Sequence, residues 1–175
     1  MGATYSNTVA STFTKISSYT ATSGLTTVTI GTGGTIPQTY TDLQLVMSLQ
    51  SSGGTVNSFI TLNGNSGSSD YGWIRMYGVF NGGKGVGIAT ATNQIILGDV
   101  TASAWTTDVV YIPEYTNTTY KKSVLIRSGV TGSAIHEIVG TYIPGNPAIT
   151  SISVTMNGTA FAAGSTFDLY GILKG

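Results

Sequence analysis

Cysteine is absent from the 175 residues, which excludes disulfide frameworks, thiolate nucleophiles and every zinc site built on sulfur. Charge is scarce as well, at 8% of the chain against roughly 25% in ordinary globular domains. Seven Lys and Arg balance seven Asp and Glu, so no net field draws the chain toward phosphate backbones or anionic lipid. Neither nucleic acid nor membrane is an expected partner. No run of about 18 apolar residues occurs, and Met1 to Asn7 lack the basic and apolar regions of a secretion signal. A soluble chain beginning near Met1 is the expectation. Also missing is any stretch of helix formers with apolar residues at i, i+3, i+4 and i+7; the β-branched and glycine content would penalise one.

What is present is apolar, hydroxylated and aromatic. The 41% hydrophobic fraction is enough for burial to outweigh ordering entropy, so the chain folds in spite of its 24 glycines. Leu43, Leu45, Met47 and Leu49 alternate with Gln44, Val46, Ser48 and Gln50, the period of a half-buried strand. Val28 and Ile30, Ile152 to Met156, and Phe167 with Leu169 keep the same period. Further strands are expected over Thr12 to Tyr19, Ser58 to Leu62, Trp73 to Phe80, Gln94 to Leu97, Asp108 to Ile112, Ser123 to Arg127 and Ile135 to Tyr142. Turn formers separate them, among them Ser52-Gly53-Gly54, Asn81-Gly82-Gly83 and Asn157-Gly158. About ten short strands without alternating helices specify an all-β fold, an antiparallel β-sandwich of jelly-roll type. Residues 1–11 have few apolar anchors and read as an extended arm ahead of one sandwich domain over 12–175.

Titratable groups are few and scattered. His136 is the single histidine, and Asp42, Asp70, Asp99, Asp108, Glu114, Glu137 and Asp168 form no recognisable motif. In Ile135-His136-Glu137-Ile138, alternation sends His136 and Ile138 to one face and Ile135 and Glu137 to the other. A Ser-His-Asp triad could assemble only from distant positions, and an ordinary structural histidine is the simpler reading. No His pair and no Asp-rich loop with calcium spacing occurs; the one alternative is a calcium ion held by carbonyls and carboxylates over Asn63 to Asp70, against a plain hairpin loop. Gly78 to Gly85 approaches a phosphate-binding loop, but Gly85 stands where a Ser or Thr should ligate magnesium, and Val86, Ile88 and Ala89 continue as a strand where a helix is needed. The chain is therefore expected not to be an enzyme, with no catalytic residues, no cofactor and no metal.

Several segments together carry a resemblance. Ile36-Pro37-Gln38-Thr39-Tyr40-Thr41-Asp42-Leu43, Leu62-Asn63-Gly64-Asn65-Ser66 with Tyr71 after it, Tyr111-Ile112-Pro113-Glu114-Tyr115, Ala148-Ile149-Thr150-Ser151-Ile152 and Ala163-Gly164-Ser165-Thr166-Phe167-Asp168-Leu169-Tyr170-Gly171-Ile172 stand in that order. The chain from about Phe13 onward thus resembles a family of tailed-phage virion surface proteins frequent in cyanophages. The resemblance implies a virion β-sandwich, either a capsid decoration (cement) protein or a tail-fibre, receptor-binding module. A small domain preceded only by a short arm suits the capsid ornament: a homotrimer on the outer surface of the head, bound to the major capsid protein. Large aromatics near turns or termini anchor many interfaces, which nominates Tyr5, Trp73, Trp105 and Tyr115, with core burial as the competing role for Trp73. The alternative function is a fibre head that recognises host carbohydrate, with Trp105 stacking on sugar.

Overall fold

Alternation of apolar and polar residues is converted into strands along the whole chain. The structure, a computed structural model, describes residues 12–33 and 35–173; the arm and Tyr5 lie outside the described residues. Twelve strands form rather than about ten: β1 (Thr12–Thr20), β2 (Thr27–Ile30), β3 (Asp42–Leu49), β4 (Thr55–Leu62), β5 (Tyr71–Val79), β6 (Lys84–Thr92), β7 (Ile95–Thr101), β8 (Thr106–Ile112), β9 (Lys122–Val130), β10 (Ala134–Tyr142), β11 (Ile152–Met156) and β12 (Thr166–Leu173). No helix occurs among the described residues.

The strands build two antiparallel sheets, one of eight in the order β1-β12-β3-β8-β9-β10-β5-β6 and one of four in the order β2-β11-β4-β7. The pairing has a simple logic. β1, β2, β3 and β4 pair with β12, β11, β8 and β7 respectively, so the first part of the chain runs against the last part read backwards. Successive pairs of this folded-over ribbon fall alternately in the large and the small sheet. The remaining strands, β5 with β6 and β9 with β10, extend the large sheet beyond β8.

The core lies between the sheets. Leu43, Leu45, Met47 and Leu49 of β3 are buried, as their period demands, together with Ile60 and Leu62 of β4, Val110 and Ile112 of β8, and Ile152 and Val154 of β11. Each such side chain contributes roughly 1.5–3 kcal/mol on burial. At one margin of this core Tyr71 is wholly buried: its hydroxyl accepts the Leu62 amide at 2.7 Å and lies 3.0 Å from the Asn65 carbonyl. Tyr71→Phe should cost about 1–3 kcal/mol, because the Leu62 N–H is left buried without its acceptor. Chemical denaturation of the two proteins measures it.

The free edge at β1 is blunted in the usual ways. A register shift between Lys15 and Ser17 bends the strand, and Lys15 reaches Asp168 at 3.0 Å. That carboxylate also accepts from Ser18 Oγ, and both contacts hold it below the usual aspartate range.

Candidate functional site

The extension of the large sheet past β8 is covered on its inner side and open on its outer side. Register places Ile88, Ile74, Val139, Leu125 and Tyr111 in one outer row across β6, β5, β10, β9 and β8. The next row runs Val86, Met76, Glu137, Arg127 and Val109, and the next begins Lys84, Gly78, Ile135. Beyond β8 the first row turns polar at Gln44, Tyr170 and Lys15, and the second, after Val46, at Asp168 and Ser18. The apolar part of the face is therefore bounded. Phe80, in the turn after β5, adds to its edge and is 70% exposed, while Met76 is 58% and Ile88 65% exposed. Between the strands the face forms a trough of about 730 Å³ lined by Ile74, Met76, Val109, Leu125 and Val139. One ion pair crosses it, Arg127 Nε to Glu137 Oε1 at 3.0 Å.

The inner side of the extension explains why β6 reads Lys-Gly-Val-Gly-Ile-Ala. Small residues Gly85, Gly87 and Ala89 face inward, opposite Tyr77, Arg75 and Trp73 of β5. A Cβ at Gly85 would lie 2.6 Å from the Tyr77 hydroxyl, and one at Gly87 would lie 3.3 Å from the Trp73 ring. The large side chains thus lie across the glycines and roof β6 on its inner side. Arg75 stacks on Tyr77, its guanidinium carbon 4.9 Å from the ring centre.

Farther in, Asp108, Ser128, His136 and Tyr77 form a row across β8, β9, β10 and β5. Asp108, Ser128 and His136 are buried, and none of their side-chain polar atoms reaches a hydrogen-bond partner in good geometry. β7 closes over them at Gly98, where a Cβ would stand 2.6 Å from Ser128 Oγ. Burial pushes the Asp108 carboxyl up to about 7, with Ser128 beside it pulling the other way. Burial also lowers His136, with Asp99, 3.8 Å away, opposing it and Arg75 adding to it. The row has the residue types of a hydrolytic triad in the wrong order, since serine stands between the aspartate and the histidine. His136 thus sits where strand alternation sends it, with Ile138 on the inner face.

The loop over 63–70 spends its polar groups on the protein. Asn63 Oδ1 accepts the Thr150 amide at 2.8 Å, its Nδ2 donates to the Ala148 carbonyl at 2.9 Å, and Asn65 Nδ2 donates to the Tyr142 hydroxyl. Asp70 accepts the Gly67 amide at 2.6 Å. Among the described residues no group of three or more His, Cys, Asp or Glu is placed to hold a metal ion. The segment that approaches a phosphate loop is the β5–β6 hairpin.

The aromatics nominated from sequence are not brought together. Tyr115 is a correction: it is fully buried in the core, and its hydroxyl donates to the Pro37 carbonyl, so it presents no surface to a partner. Trp73 takes the packing side of its two roles, half-buried on the inner face of β5. Trp105 is 40% exposed at the opposite end of the strands, where its carbonyl accepts from the Thr131 amide at 3.1 Å. The residues that make the open face, Ile74, Met76, Val86, Ile88 and Val139, were not singled out by sequence reasoning. A signal existed in Ile74 and Met76, which alternate with Trp73 and Tyr77 so that both faces of one strand are apolar. No protein-family model matches this chain, and no curated protein matches it.

Proposed function

We propose that the chain is a non-enzymatic decoration protein of a tailed-phage capsid, which assembles as a homotrimer on the outer surface of the head, binds the major capsid protein and stabilises the shell. The observation that carries the assembling role is the bounded apolar face of the large sheet, in a chain whose few charges elsewhere leave hydroxyls and amides as its surface. The segments quoted above, from Ile36 to Ile172, supply the phage assignment by resemblance. We read the folded-over ribbon, with its pairs dealt alternately into two sheets, as a jelly roll carrying two hairpin extensions.

Attachment that rests on apolar and hydroxyl contact withstands salt. Most of the protein should stay on particles in about 1 M salt, where the Debye length falls to roughly 3 Å; sedimentation of particles followed by quantification of the released chain checks this. Extensive release would mean that the few charges carry the attachment. The deciding experiment images virions with and without the protein. Many copies at local threefold positions on the head are expected, and a few copies at the tail would overturn the reading. The second reading, a fibre head that binds host carbohydrate, is favoured by one observation, the exposed Trp105 ring at a loop end, and predicts that tail location.

A further inference from the structure

We infer that the apolar outer face of β5, β6, β9 and β10 is the contact between copies of this chain. The inference rests on the oligomer proposed above and not on the particle that the oligomer decorates.

Area is the first argument. Eight large apolar side chains of this face are 41–70% exposed, and at roughly 150 Å² for a large apolar side chain they leave on the order of 700 Å² of apolar surface in water. That exceeds the ~300–600 Å² of the largest patch on a typical monomer and is close to the ~800 Å² that one partner gives to a standard interface. Trp73, Tyr77 and the glycines of β6 roof the inner side of the same strands, so the chain itself shields that side and leaves the outer side for another chain.

Charge is the second. The centre of the face holds one cation and one anion, Arg127 and Glu137, on neighbouring strands. Such a pair is complementary to itself: in a closed ring of copies, Arg127 of one meets Glu137 of the next, and no like charges are forced together. A partner surface of strong charge of either sign would leave one of the two unmatched, whereas a second copy matches both. Lys84 stands at the margin beside Gly78, where it stays in water.

The experiment is the mass of the full chain in solution, by sedimentation equilibrium at roughly 10–100 µM, where a contact of standard size is populated. A mass of three times 18.1 kDa is expected. Met76→Lys, on a side chain that already points to solvent, should leave the circular dichroism spectrum unchanged and weaken self-association at least about tenfold, by burying an unpaired charge. Phe13→Lys, an equally exposed apolar position on β1 at the other end of the sheet, should leave the mass unchanged. Arg127→Glu and Glu137→Arg should each dissociate alone, and a chain that carries both substitutions should regain the mass, because it again holds one anion and one cation at the face. A monomeric wild type, or an oligomer insensitive to Met76→Lys, overturns the inference. Particle binding by a monomeric chain would sink it while leaving the decoration reading intact; an oligomer that ignores particles would do the reverse.

Discussion

Alanine at Gly31 should destabilise the sandwich by about 2–5 kcal/mol, although it adds a single methyl group. Gly31 follows β2 with φ at +77°, a conformation that an L side chain adopts only under strain. Space is the larger obstacle. The new Cβ would lie 2.5 Å from both Ile36 Cγ1 and the Thr150 carbonyl oxygen. That oxygen is main chain, and it already accepts the Ile36 amide at 3.2 Å, so moving it breaks the contact that ties the β2 end to the segment before β11. Ile36 is itself buried and cannot swing into solvent. Gly24 supplies the control, since its φ is +73° but a Cβ there meets nothing within 4 Å. Gly24→Ala should show the conformational strain alone, about 1 kcal/mol. With roughly 2–4 °C of melting temperature per kcal/mol at this chain length, Gly31→Ala should melt about 5–15 °C below wild type. Equal losses at the two positions would show that the close approach to Thr150 contributes nothing.

The second large effect concerns Asp108. Its carboxyl is pushed from 3.8 up to about 7 by burial, so the folded chain holds a proton that the unfolded chain has released between those values. Stability from this group is therefore complete below about pH 4 and is lost as pH rises to about 7, by up to ~4 kcal/mol. Asp108→Asn removes the titration. The variant should be more stable than wild type at pH 8, by about 1–3 kcal/mol once the cost of an imperfectly bonded amide is deducted, and the advantage should vanish near pH 4. His136 works in the opposite direction. Its folded value is lowered, so stability is full above its unfolded value of 6.5 and falls as pH drops below that. Asp168, held low by Ser18 and Lys15, also loses its contribution toward acid. Both groups are common to the two proteins, so the difference between their stability curves isolates Asp108. Urea denaturation at pH 4, 6 and 8 checks this, and a difference that does not change with pH would mean that Asp108 ionises normally within the fold.

Much of the architecture was legible because strand period is a local property. β3 shows it well: Leu43, Leu45, Met47 and Leu49 were assigned to one face by alternation alone, and all four are buried. The alternation around His136 was equally readable, and β10 buries Ala134, His136, Ile138, Gly140 and Tyr142 while exposing Ile135, Glu137 and Val139. Tyr115 was misjudged for a related reason. It follows Pro113 in a turn, and turn position says nothing about whether a ring points outward; here the ring fills the core and its hydroxyl finds the Pro37 carbonyl, 78 residues away in sequence.

The candidate face was harder to see. On β5 both parities are apolar, Trp73 and Tyr77 on one and Ile74 and Met76 on the other, so alternation cannot say which side is covered. Only the sheet order decides it, because β5 and β6 stand at the edge of the large sheet, and only the glycines at 85 and 87 let Trp73 and Tyr77 lie flat enough to serve as cover. The polar row of Asp108, Ser128 and His136 is likewise assembled by pairing between strands far apart in sequence. The amino-acid sequence by itself determined that the chain is all-β, where most strands lie, and which side of each singly apolar strand is buried, since those follow from a period of two and from the turn residues. Tertiary structure decided which strands are neighbours and which apolar side remains open, because both depend on long-range register, a relation between residues that no local pattern encodes.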